Sequence, residues 1–217
     1  MKVDLHVHTC YSGDSLTSLE AIIVACQRRG LDRVAITDHN TIAGALALRE
    51  MAPELVLVGE EIKTSAGELI AYFLKEEVPS GLSPQETIAC IRAQGGVVAV
   101  PHPLDRLRRE AMRRAHLLEI MDQVDALEAF NARTTFPADN RRAGELARQR
   151  GLPVTAGSDA HSIYEIGRAY VEMPPFNSQE EFIQSLAQGQ IVGRLSAPWI
   201  HLTSLYARLW KSLFARF

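Results

Sequence analysis

The sequence predicts an α/β fold, a closed or nearly closed (β/α) barrel. Three observations point to it. Short apolar runs alternate with helical stretches of roughly 10 to 15 residues about seven times. The chain has 217 residues, 47% of them apolar, enough for one buried core of this size. Of its 7 histidines, five (His6, His8, His39, His102 and His161) stand at the ends of apolar runs, where barrels of this kind carry their chemistry.

The elements follow in order. Residues 3–8 alternate as a strand and lead into a turn at Tyr11-Ser12-Gly13-Asp14. A helical pattern covers 16–29, with Ser15 or Thr17 as its cap and Gly30 as its stop. Residues 34–37 read as a second strand running into Asp38-His39-Asn40. Helix is expected over 41–51, and strands over 55–59 and 69–74. Ser83-Pro84 opens a helix that Gly95-Gly96 stops, and residues 97–100 form a strand into Pro101-His102-Pro103. Strand 125–130, helix 138–150, strand 154–156 and helix 179–188 complete the series. Such alternation implies a parallel sheet with right-handed crossovers. No linker breaks it, so one domain is expected over 1–217, with a core over about 1–194 and a helical tail over about 199–217.

Composition excludes several functions. A net charge of −3 gives no chain-wide attraction to nucleic acid or anionic membrane. Three widely spaced cysteines, Cys10, Cys26 and Cys90, form neither a disulfide framework nor a cysteine zinc site, which suggests a reducing cytoplasm. The amino terminus reaches histidine too soon for a signal peptide, and no window is apolar enough for a transmembrane segment.

His6 and His8, at i and i+2 on a strand, share a face and can chelate one ion, with Asp4 on the same face. Asp38-His39, His102 and Asp159-x-His161 repeat the theme at separate strand ends. Mixed Asp and His donors suit zinc, manganese or iron. The segments Asp4-Leu5-His6-Val7-His8-Thr9, Thr37-Asp38-His39-Asn40, Pro101-His102-Pro103 and Gly157-Ser158-Asp159-Ala160-His161 resemble, in order, the four motifs of the PHP (polymerase and histidinol phosphatase) family.

That resemblance implies a distorted (β/α)7 barrel holding two or three divalent metal ions, and hydrolysis of phosphomonoesters or phosphodiesters by a hydroxide bridging the ions. By motif, His6, His8 and Asp159 resemble ligands of a first ion, and His39, His161 and Asp14 ligands of a second. Glu61 matches the carboxylate bridging the first and third ions, with Glu60 as its rival; His102 resembles a third-ion ligand. Some relatives carry a histidine where this chain has Glu68, which is the candidate there unless it is an exposed strand-start residue. Asp38, like Asp4, is expected to orient a ligating imidazole.

Arg133, in Asn131-Ala132-Arg133, is the candidate phosphate holder, or else a surface arginine paired with a carboxylate; Lys63 is a weaker one. Arg106, Arg108, Arg109, Arg113 and Arg114 form either a solvated helix face or an attraction for a small phosphorylated substrate such as a nucleotide or short oligonucleotide. The last stretch, with Leu202, Leu205, Tyr206, Leu209, Trp210, Leu213, Phe214 and Phe217 at helical spacing, reads as an amphipathic helix packed on the barrel, a homodimer contact, or a membrane-surface helix. Two other functions compete: an amidohydrolase-like metal hydrolase, and a non-catalytic metal-binding module.

Overall fold

A computed structural model describes residues 1–214. Arg216 and Phe217, at the end of the expected C-terminal helix, lie outside the described residues. Nine strands form one sheet: β1 (Lys2–Val7), β2 (Arg33–Ile36), β3 (Val56–Thr64), β4 (Gly67–Tyr72), β5 (Val97–Val100), β6 (Ala126–Asn131), β7 (Val154–Gly157), β8 (Ala169–Glu172) and β9 (Gln190–Gly193). Their order is β7-β6-β5-β4-β3-β2-β1-β8-β9. A parallel bridge between Val7 and Ala160, with His8 N donating to Ala160 O at 2.9 Å, joins the chain past β7 to the end of β1. The sheet is thereby pinched into a nearly closed barrel at the rim where the histidines lie.

The expected all-parallel sheet needs correction. β1-β2-β3 and β5-β6-β7 are parallel, but β4 runs antiparallel to both its neighbours, as do β8 to β1 and β9 to β8. For β3 and β4 the physical reason is loop length. Only Ser65 and Ala66 separate β3 from β4, enough for a hairpin but not for a helical crossover.

Helices α1 (Leu19–Arg29), α2 (Ala43–Met51), α3 (Pro84–Ala93), α4 (Arg114–Ile120), α5 (Pro137–Arg150), α6 (Gln179–Ala187) and α7 (His201–Phe214) fill the connections and the tail. Ser18, not Ser15 or Thr17, caps α1 through Ala21 N; the other two side chains face His161 O and leave the cap to their neighbour. Ser83 and Glu86 form a reciprocal capping box on α3 with Pro84 inside its first turn.

Alternate strand residues build two apolar layers. Val34, Ile36, Val58, Val98 and Val100 pack outward against Ile22, Leu48, Ile88 and Ile91 of the helices. Ala35, Leu57, Ile70, Ala99, Ala126 and Ala156 point inward and meet Tyr72, Phe176 and Phe182. The inward set is mostly small, which suits a narrow interior, and Tyr72 Oη donates to Leu5 O at 3.0 Å. This layer is the floor beneath the histidines.

The tail is helical as expected and departs from one of its three readings, apolar packing on the barrel. α7 lies over the barrel mouth, but its polar side faces down: Ser204 and Ala207 are its buried residues, while Leu202, Leu205, Tyr206, Leu209, Trp210, Leu213 and Phe214 are exposed.

Candidate metal centre

Six strands bring a donor to the rim. His6 comes from β1 and His8 from just beyond it, His39 follows β2, Glu61 lies on β3 and Glu68 on β4, His102 follows β5, and Asp159 and His161 follow β7. Asp14 arrives on the turn after β1. Three rim residues, Asn40, His102 and Asp159, have left-handed φ of 54°, 32° and 53°, a conformation that costs non-glycine residues of order 1–3 kcal/mol and clusters at functional sites. Gly157 is required by close approach: a Cβ there would fall on the Cβ of His6.

The donors converge. His6 Nε2 and His8 Nε2 are 3.1 Å apart, and Glu61 Oε2 lies 3.2 Å from the first and 3.3 Å from the second. Asp159 Oδ1 sits 3.7 and 3.5 Å from the same two nitrogens. Asp14 Oδ2 is 3.2 Å from His161 Nε2 and 3.4 Å from His39 Nε2. Glu61 reaches His39 Nδ1 at 3.2 Å and His102 Nε2 at 2.9 Å, and Glu68 lies 3.6 and 3.7 Å from those two histidines. Three groups with donor atoms within 4.8 Å of one another result: His8, Asp14, His39 and His161; His6, His8 and Glu61; His39, Glu61 and Glu68. Glu60 points elsewhere, accepting from Val78 N.

Electrostatics in the cleft are strained. Burial disfavours the protonated imidazole of His39, but Glu61, Asp14 and Glu68 outweigh it and raise its pKa to about 10. Burial and the Glu61 charge push Glu68 up to about 8. Burial drives His161 down to about 3, helped by His8 and Arg133. Asp14 stays ionised against its own burial, held there by His161 first and His39 second, and it also accepts from Arg208 Nη2 at 2.9 Å. Burial likewise opposes ionisation of Asp159, which Arg108, at 2.6 Å, and His6 hold well below the usual carboxylate range.

The donor set fits divalent cations. Asp159 Oδ1 is buried without a hydrogen-bond partner, although it faces two imidazole nitrogens. Two imidazoles turning Nε2 toward one another beside a carboxylate need a cation or extra protons between them.

Several expected roles change. Asp4 touches no imidazole; it accepts from Ser158 N and Oγ and from Gly167 N, tying β1 to the Asp159 loop. Asp38 accepts from Thr9 N and Oγ1 and so shapes the loop after His8 rather than orienting His39. Arg133 is buried, and its fork is committed to His161 Nδ1, Ser204 Oγ and Ile200 O, with Glu165 3.2 Å from its Nε. It is not a surface arginine; it lines the cleft with its fork held by protein partners. Residues 101–113 form a loop, not a helix face, and that loop turns Arg108 into the site; Lys63, Arg208 and His201 line the cleft beside it.

Glu128 went unnoticed in the sequence. Its Oε1 is 3.0 Å from His6 Nδ1 and its Oε2 accepts from His102 N, so it does what Asp4 and Asp38 were expected to do. Asn131, which donates to Glu128 and Asp159, completes that support. Glu128 occupies an ordinary strand, Ala-Leu-Glu-Ala-Phe-Asn; the one signal was a lone glutamate amid apolar residues.

Comparison with known proteins agrees with this geometry. Residues 4–99 match the PHP domain, and residues 137–191 match the PHP-associated region PHP_C. A Methanocaldococcus jannaschii relative, uncharacterized protein MJ1587, is 40% identical over 145 residues, 61% of this chain and 82% of its own length. A Caldicellulosiruptor bescii protein named a probable phosphatase is 24% identical over 86% of this chain and 95% of its own. The crystal structure of a two-domain Bacteroides vulgatus protein containing a predicted PHP-like metal-dependent phosphoesterase superposes with a TM-score of 0.72 at 16% identity, over 95% of this chain and 69% of that one. The chain belongs to the PHP family.

Proposed function

We propose that the protein is a metal-dependent phosphoesterase, with His6, His8, Asp14, His39, Glu61, Glu68, His102, Asp159 and His161 holding two or three divalent ions of manganese, zinc or iron. The observation that carries the reading is the convergence of these buried donors on Glu61, with Asp159 Oδ1 left unpartnered among them. Bound ions of this kind supply hydroxide at neutral pH and offset charge on phosphoryl oxygens.

The chain's own residues do the rest. Glu128 fixes the orientation of His6 through Nδ1, and Asn131 holds Glu128. Arg133 steadies His161 and the overlying α7. Arg108, Lys63 and Arg208, around a cleft of about 590 Å³, offer positive charge to a phosphoryl group. A second groove of about 640 Å³ shares Asp105 and Arg108 with the cleft and is lined by Arg106, Arg109, Arg113, Arg114 and Arg142. It supports a substrate with more than one phosphate, a nucleotide or a short oligonucleotide. A cytoplasmic setting, expected from the three widely spaced cysteines, is part of this reading.

The test is phosphate or nitrophenol release from a phosphoester panel with manganese or zinc added. Wild type should hydrolyse, and His39→Ala and Asp159→Ala should each lose at least 100-fold. Equal behaviour of all three refutes the reading. Within the panel, Arg109→Glu with Arg113→Glu should raise KM for an oligonucleotide several-fold and leave that for nitrophenyl phosphate unchanged.

A further inference from the structure

Helix α7 is held on the barrel almost entirely by polar groups. Arg133 donates to Ser204 Oγ and Ile200 O, Arg208 to Asp14, and Lys211 to the carbonyls of Cys10 and Ser12. The opposite side carries Leu202, Leu205, Leu209 and Leu213, at spacings of three, four and four residues. Beside them runs an aromatic row, Tyr206, Trp210 and Phe214, with ring centroids 6.0 and 4.4 Å apart. Leu213 is 69% exposed and nearby Trp199 60%.

Such a face is unusual for a monomer, which rarely exposes more than a few hundred Å² of contiguous apolar surface. With aromatic side chains of ~150–250 Å², the face of α7 and Trp199 amounts to roughly 800–1,000 Å². A standard interface needs ~800 Å² per partner.

We propose that this face is a dimer interface, on which the α7 of a second copy packs across a two-fold axis. Pairing of identical faces needs no complementary partner surface, and the leucine spacing is that of a helix–helix seam. The charges of the helix separate this occupant from a lipid surface. Membrane-surface helices offer their cations to headgroups, whereas Arg208 and Lys211 are turned onto the barrel. The pairing also has a consequence for the cleft. Ser204, Leu205 and Arg208 form one of its walls, so a second copy, by covering α7, fixes that wall in place.

Trp210 lies on this face, and Trp199, the chain's other tryptophan, is exposed in the turn just before α7, which makes their emission a reporter. Sedimentation of the full chain at micromolar concentration should give twice 24.0 kDa, and dilution should shift the emission to the red as the mass falls. Leu209→Asp with Leu213→Asp should halve the mass and produce the same red shift at all concentrations while preserving the far-ultraviolet circular dichroism; Leu205→Ser with Leu213→Ser is the milder pair should the first unfold. A wild type at 24.0 kDa throughout overturns the proposal, as do folded variants that keep the wild-type mass. So does a monomer whose emission shifts to the blue when phosphatidylserine vesicles are added. Neither readout depends on hydrolysis.

Discussion

Glu61 carries the densest set of contacts in the cleft, reaching His6, His8, His39 and His102 within 3.3 Å. Glu61→Gln keeps the shape and removes the charge, so bound metal, counted by elemental analysis, should fall by at least one ion per chain. Glu128→Gln acts one step away, through His6, and should weaken metal binding 10–100-fold, measured by competition with a chelator. The pH dependence has a definite sign. His39, raised to about 10, and Glu68, raised to about 8, carry protons at pH 7 in the cation-free protein and must give them up to ligate. Affinity for manganese or zinc should therefore rise steeply with pH up to about 8 and less steeply on to about 10, with protons released on binding, which calorimetry in buffers of different ionisation enthalpy reads directly. At this scale the histidines were legible because each ends an apolar run. Glu128 was not, because its partner His102 N lies 26 residues away and no local pattern records that contact.

At the scale of elements, the closure of the barrel rests on β1 meeting the chain past β7. Gly157→Ala would place a methyl group on His6. It is expected to cost stability of order 1–3 kcal/mol in denaturant unfolding and to reduce metal occupancy together with it. Phe182, fully buried and edge-on to Tyr72, Phe73 and Phe176, closes the barrel floor; Phe182→Ala should cost about 3–5 kcal/mol by the same measurement. β5 and α3 could be read within a residue or two, since a bounded valine run and a Ser-Pro start with Glu86 three residues on are local signals. β8 and β9 could not. β9 is four residues long and largely exposed, so it lacks the alternation that marks a half-buried strand. The reversal of β4 was hidden because direction depends on what a strand pairs with rather than on its own composition. For α7 the periodicity was legible while the direction of its apolar face stayed open among three readings, because the acceptors that Arg208 and Lys211 meet on the barrel are distant in sequence.

The whole molecule gathers five histidines and several carboxylates in one cleft, and the cost of that crowding should appear as stability. Ligands that bind the folded state stabilise it by mass action, about 2.7 kcal/mol at 100 times Kd. Removal of metal with a chelator should thus lower the melting temperature by several degrees, fully restored on adding manganese or zinc. Among the described residues no helix is long and apolar enough to cross a membrane. The most direct test of the metal centre is anomalous diffraction from crystals soaked in manganese or zinc. The account predicts two or three peaks in the cleft, each about 2.0–2.2 Å from imidazole nitrogens and carboxylate oxygens of the three donor groups. A cleft with no anomalous peak after soaking, in crystals whose histidines and carboxylates are otherwise ordered, would contradict it.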